Sequence, residues 1–160
     1  MTRHEKARNL ALKQFGHLYS FEDYGDRLTC AYCGDVREQI DHIPPISLLA
    51  SDEIDELKLR GVEFMTVPSC ALCNRALSNR PLWTFEDRVL FLYERLLTKA
   101  DGAVFWSDEE INESLTGHLK REVTAVQNKL KNDLILRLRG LENRLCNLEP
   151  RFNPKTPKWL

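Results

Sequence analysis

L-T-C-A-Y-C-G-D-V-R-E-Q-I-D-H-I-P-P, residues 28–45, and V-P-S-C-A-L-C-N-R-A-L-S-N-R, residues 67–80, decide how this chain is read. Each holds a C-x-x-C pair, Cys30 with Cys33 and Cys70 with Cys73, and 36 residues separate the two pairs. A C-x-x-C turn presents two thiolates from one tight bend, and two such turns supply the four corners of a tetrahedral Zn²⁺ with Zn–S near ~2.3 Å. The competing reading is two buried apolar cysteine pairs with no metal between them. Four thiolates leave no coordination position for water, so the zinc expected here is structural and any catalysis lies elsewhere.

The rest of the chain frames these pairs. Its 160 residues are a one-domain length, and 42% apolar composition is enough to bury an ordinary core. The formal net charge is −1, but it is unevenly spread: residues 1–20 carry +3, 21–64 carry −7, 65–117 carry −3 and 118–158 carry +6. An acidic centre therefore lies between basic ends, and a nucleic-acid partner has to be argued locally. Five cysteines are an odd number, and Met1 leads into Thr-Arg-His-Glu-Lys-Ala-Arg with no apolar leader. Both point to a soluble protein of the reducing cytoplasm whose thiols serve metal binding. No apolar run reaches the roughly 18 residues of a membrane span.

Periodicity predicts a helix from Thr2 to about Gln14, stopped by Gly16, within an N-terminal segment 1–20. Knuckle turns and an alternating strand from Val36 to Ile43 follow, ended by Pro44 and Pro45. Ser51 reads as the cap of a short helix over Ile54–Leu59 closed by Gly61, and Val62–Val67 as a returning strand. A helix over Cys70–Asn79 is closed by Pro81, and a second, capped by Thr84, carries Phe85, Val89, Leu92, Tyr93 and Leu96 to Asp101-Gly102. Ser107 and Glu110 form a capping box. It opens a leucine stripe from Leu115 through Leu148, expected as one long helix or as two hinged near Gly140. Cys146 on this long helix is expected to be an ordinary buried thiol. Residues 150–160, with three prolines, should be extended.

C-x-x-C, then Asp41-His42 at a strand end, then C-x-x-C followed at once by Asn74, resembles the zinc-containing HNH endonucleases of the ββα-metal class. The resemblance covers about residues 28–80. It implies an α+β fold with a zinc-stapled ββα-metal (His-Me finger) core over 21–81, followed by a helical region over 82–149 for packing, dimerisation or partner binding. It implies that His42 is the general base that deprotonates the attacking water, and that Asp41 and Asn74 hold a catalytic divalent ion. Imidazole titrates near neutrality, and oxygen ligands suit a hard ion such as Mg²⁺ or Mn²⁺. One departure stands out: the family's central Asn, nine residues before the last motif position, is Met65 here. That Asn braces the loop and orients the base in the family, so an apolar residue there puts activity in question.

The implied reaction is metal-dependent hydrolysis of phosphodiester bonds, in DNA by family habit, with RNA as the other substrate. The alternatives are a zinc-held interaction module without catalysis, and a nuclease subunit delivered by another protein. Arg75, Arg80, Lys120 and Arg121 are the candidate nucleic-acid contacts, with Arg88, Lys129, Lys131, Arg137, Arg139 and Arg144 as further cations; a solvated helix face explains them equally well. Ser78, one turn past Asn74, can face the same pocket or solvent. His4, His17 and His118 lack partners at ligand spacing. The leucine stripe can pack on the helix at 85–99, on a second copy of the chain, or on a partner.

Overall fold

The computed structural model describes residues 3–22, 24 and 26–159, without the side chains of residues 3 and 4. The chain is mixed α+β: among the described residues, six α-helices and two short 3-10 turns accompany one small sheet. Helix α1 spans Arg3–Phe15, so Thr2 and the His4 side chain of the sequence reading lie outside the described residues. Strand β1 (Ser20–Phe21) lies parallel to β3 (Met65–Ser69), and β2 (Gln39–Ile43) pairs antiparallel on the other side of β3, giving the order β1-β3-β2. In register, Asp41 faces Val67, His42 faces Thr66 and Ile43 faces Met65.

Strand β2 is shorter than its alternating sequence. Val36 makes only a lone bridge to Thr29 and is exposed, because the chain there closes the first cysteine turn before pairing with β3. Helix α2 (Ile54–Leu59) forms where expected and ends at Gly61, whose φ of +75° favours glycine. Ser51 does not cap it. Glu53 occupies the cap position, and the Ser51 hydroxyl instead accepts a 3.0 Å hydrogen bond from the Gln14 amide on α1.

Helix α3 (Ala71–Leu77) follows β3 directly, with Cys70 as its N-cap. Helix α4 (Phe85–Asp101) is capped by the Thr84 hydroxyl, which accepts from the Asp87 amide. The capping box of Ser107 and Glu110 opens α5, but α5 is short (Asp108–Ser114). The break falls at Leu115–Thr116, where extended residues and Gly117 at φ +57° interrupt the helix; α6 then runs unbroken from Gly117 to Leu148, straight through Gly140. Gly140 is not a hinge. A Cβ there would sit 2.0 Å from the Cys33 carbonyl oxygen, so only glycine lets α6 approach the first cysteine turn.

One hydrophobic cluster runs through the molecule, joining the four cysteines, Ile43, Met65 and Val67 to Val89 and Leu92 of α4 and to Leu138, Leu141 and Leu145 of α6. The leucine stripe is therefore divided. Its C-terminal third is core against α4, whereas Leu119, Val126 and Leu130 are exposed. Cys146 is exposed too, on the outer side of α6, which corrects the expectation of a buried thiol. Phe152 and Trp159 fold back onto the core, with the Trp159 indole donating to Ala100 O at 2.7 Å. Among the described residues no helix is long and apolar enough to cross a membrane.

Candidate metal centre and adjoining pocket

Cys30 and Cys33 sit on a turn closed by the Gly34 amide donating to Cys30 O and the Cys30 amide donating to Asp35 O, with Gly34 at φ +78°. Cys70 follows the last residue of β3 as the N-cap of α3 and Cys73 lies in the first turn of α3, so the second pair is presented by a strand-to-helix corner. All four residues are buried, and their sulfurs lie within 4.8 Å of one another. Cys33 Sγ and Cys70 Sγ are 3.8 Å apart. A tetrahedron with Zn–S of ~2.3 Å has edges of about 3.8 Å, so the cluster fits a zinc ion.

The electrostatics match that fit. Four close thiols share few protons: hydrogen bonds from the neighbouring sulfurs hold Cys70 low and bring Cys30 to about 7, while they push Cys33 and Cys73 up. Arg137 of α6 faces the sulfurs, with Nη2 3.4 Å from Cys73 Sγ and Nη1 3.8 Å from Cys70 Sγ. Its Nη1 also meets Asp35 Oδ2 at 3.2 Å. Burial opposes the Arg137 charge, but the Cys33, Cys73 and Cys70 sulfurs outweigh it and raise its pKa. Such a guanidinium neutralises part of the excess charge of a zinc tetrathiolate.

A second feature adjoins this cluster. A cavity of about 510 Å³ is lined by Asp41 and His42 of β2, by Asn74 and Arg75 of α3 with Ser78 just past its end, and by Arg8 of α1. The fold thus brings the Asp-His pair and the Asn of the sequence reading to one pocket, with Arg75 and Ser78. Arg80 is elsewhere, its guanidinium 4.6 Å above the Phe91 ring. Lys120 and Arg121 do not line the pocket; they begin α6, roughly 25 Å along the helix from Arg137. Arg88, one of the further cations, is no surface phosphate contact at all. It is 1% exposed, and its position on the buried face of α4 beside Phe85, Val89 and Leu92 explains why.

Arg88 is committed to Asp41. Its Nη1 donates to Asp41 Oδ2 at 2.5 Å and its Nε donates to Leu82 O at 3.0 Å. Tyr32, inside the first C-x-x-C turn, donates its hydroxyl to the same Oδ2 at 2.6 Å, and the His42 amide donates to Oδ1 at 2.9 Å. Burial, then the Asp41 charge, push the Tyr32 pKa well up, so the phenol stays protonated as a donor. Burial lowers Arg88, but Asp41, and after it Tyr32, outweigh this and raise its pKa, so the guanidinium stays charged.

His42 is half-buried, edge-on to the Tyr19 ring at 5.1 Å between centroids, and the Tyr19 hydroxyl donates to Pro44 O at 2.8 Å. Burial lowers the His42 pKa below 6.5; Asp41 opposes this, and Arg8 and Arg88 reinforce it. The imidazole is therefore neutral at pH 7. Asn74 donates its amide to Gln39 Oε1, which leaves its carbonyl oxygen as the end able to bind a cation. Met65 does not face His42. It is buried under the Tyr24 hydroxyl, 3.5 Å from Sδ, and Thr66 is the residue opposite the histidine.

Tyr19, Tyr32, Gln39, Arg8 and Arg137 were not singled out in the sequence for these roles. Tyr32 had a signal, being enclosed by the two cysteines of a C-x-x-C pair, and Arg88 had one as a charge on the apolar face of α4. Comparisons with protein-family models, with curated proteins and with solved structures give no match.

Proposed function

We propose that the chain is a metal-dependent phosphodiesterase of the HNH type, its core being the antiparallel pair β2 and β3 followed by α3, stapled by structural zinc. The observation that supports this reading is the single pocket lined by Asp41, His42, Asn74, Arg75 and Arg8 from three separate elements beside the four-cysteine cluster. Neutral His42 is the general base, taking a proton from water. Its ring is steadied by Tyr19 rather than by the Asn that the family carries where Met65 stands. Asn74 through its carbonyl oxygen, and Asp41, are the groups for a hard divalent ion, Mg²⁺ or Mn²⁺. Such an ion, when bound, supplies charge stabilisation to the phosphorane and the departing oxygen. Arg8 and Arg75 on the pocket wall attract the phosphate, offsetting the acidic middle of the chain.

One observation favours a second reading. Asp41 already accepts from Arg88, Tyr32 and the His42 amide, so its carboxylate is neutralised and largely filled without an ion. That suits a zinc-held interaction module without catalysis. Nicking of supercoiled plasmid with Mg²⁺ or Mn²⁺, compared between the wild type and His42→Ala, separates the two. The nuclease reading expects nicking that His42→Ala abolishes. Equal inertness of both proteins, with zinc retained, removes the nuclease reading, and equal rates in both remove His42 as the base.

A further inference from the structure

On the other side of α3 lies a second groove, about 390 Å³, formed between α3, α4 and α6. Its floor is aliphatic: Leu72, Leu96, Leu130 and Leu134 line it, and Leu72 and Leu130 are 56% and 52% exposed. The open leucines stand on α3 and α6, and half-buried Leu96 of α4 and Leu134 of α6 complete an apolar lining that water does not solvate well. The rim is cationic. Arg75, Arg95 and Lys99 are exposed around it, and Asp133 is the one carboxylate among the lining residues. Arg137 also borders the groove, but it is occupied with the cysteine sulfurs and Asp35.

We infer that this groove docks an acidic amphipathic helix of a partner protein, leucine-type side chains against the floor and carboxylates against Arg75, Arg95 and Lys99. A helix laid in a groove presents apolar anchors at i, i+3, i+4 and i+7 with charge on its flanks, which is the complement of an aliphatic floor with a basic rim. Nucleic acid matches the rim but not the floor. Single strands bind grooves in which bases stack on aromatic rings, and among the described residues no aromatic lines this one. Arg75 borders both this groove and the His42 pocket, so the docked helix sits one side chain from the candidate site. The inference does not depend on whether that pocket hydrolyses anything.

The test uses the full zinc-loaded chain and fluorescence anisotropy with three labelled probes. These are a helical peptide of about 18 residues with leucines at i, i+3, i+4 and i+7 and glutamates elsewhere, the same peptide with lysines for glutamates, and an oligonucleotide of similar length. The Glu-faced peptide is expected to bind about tenfold or more tighter than the Lys-faced one, and Arg95→Glu with Lys99→Glu to reverse the order. Leu130→Asp should weaken the Glu-faced peptide by a similar factor. All three substituted positions are exposed, and an unchanged melting temperature certifies the fold of each variant. Absence of saturable peptide binding, or affinities indifferent to these substitutions, overturns the inference. Oligonucleotide binding that Arg95→Glu with Lys99→Glu abolishes, in place of peptide binding, assigns the groove to nucleic acid and overturns it equally.

Discussion

Replacing Gly140 by alanine sets helix propensity against packing, and the two predict opposite signs. In the interior of a 32-residue helix the exchange should stabilise by about 1 kcal/mol. The structure opposes this, because the new Cβ would lie 2.0 Å from the Cys33 carbonyl oxygen and 2.6 Å from its carbon, whereas ordinary contact starts at 3.4 Å. Both atoms are backbone, so no rotamer relieves the clash, and α6 must retreat by about 1.4 Å (3.4 less 2.0). Overpacking of this kind costs about 1–3 kcal/mol. The retreat also draws Arg137, one turn earlier, away from the Cys70 and Cys73 sulfurs, which adds roughly 1.5–3 kcal/mol for charged hydrogen bonds. After the propensity gain is subtracted, the net loss is on the order of 1.5–5 kcal/mol. Urea unfolding of the zinc-loaded protein should show a lower midpoint at unchanged slope, and a chromophoric chelator should strip zinc faster than from the wild type. Gly16→Ala, where no atom lies within 4 Å of the added Cβ, is the control and should change stability little. A Gly140→Ala protein as stable as the wild type, with zinc release unaltered, would refute the close approach of α6 to the cysteine turn.

Three further outcomes follow from the same geometry. Arg88→Met leaves the Asp41 carboxylate buried without its cation and should cost about 3–5 kcal/mol in urea unfolding, and adding Asp41→Asn should recover part of it; equal stability of Arg88→Met and wild type would contradict the buried pair. The His42 ring protons, followed by NMR, should titrate below 6.5, the direction set by burial. Because the unfolded chain then protonates first, stability falls as pH drops through 6.5, and His42→Gln should remove that part of the slope; an imidazole titrating at or above 6.5 defeats the claim. Met65→Asn, which restores the family's residue, places an amide in the core under Tyr24, so it should lower stability by about 1–3 kcal/mol and leave any nicking no faster. A gain in nicking rate would show that position 65 reaches the base.

Much of the layout was legible because local chemistry decides it. Cysteine spacing fixed which sulfurs meet, Thr84 and the Ser107-Glu110 box marked helix starts, and Gly102 marked a helix end. What the sequence withheld were the long-range partners. Arg88 looked like one more surface cation until α4 turned its apolar face, and the arginine with it, onto β2. Gly140 resembled a helix breaker because its need is set by a backbone 107 residues earlier in the chain. The true break at Leu115–Thr116 was hidden by leucine spacing that continues across it, since periodicity does not register backbone dihedrals.

Tyr32 joins two places that the chain builds separately. Its backbone belongs to the first cysteine turn, and its hydroxyl ends on the Asp41 carboxylate 9 residues later. A zinc ion held by that turn and a ligand met by that carboxylate would therefore act on the same side chain. Whatever factor zinc loading contributes to the affinity of the Asp41 pocket for its own ligand, that ligand returns to zinc, because linkage is reciprocal. A residue placed between two cysteines that could hold a metal would then be a wire for free energy as well as a spacer, and chelation at one place would be read at the other.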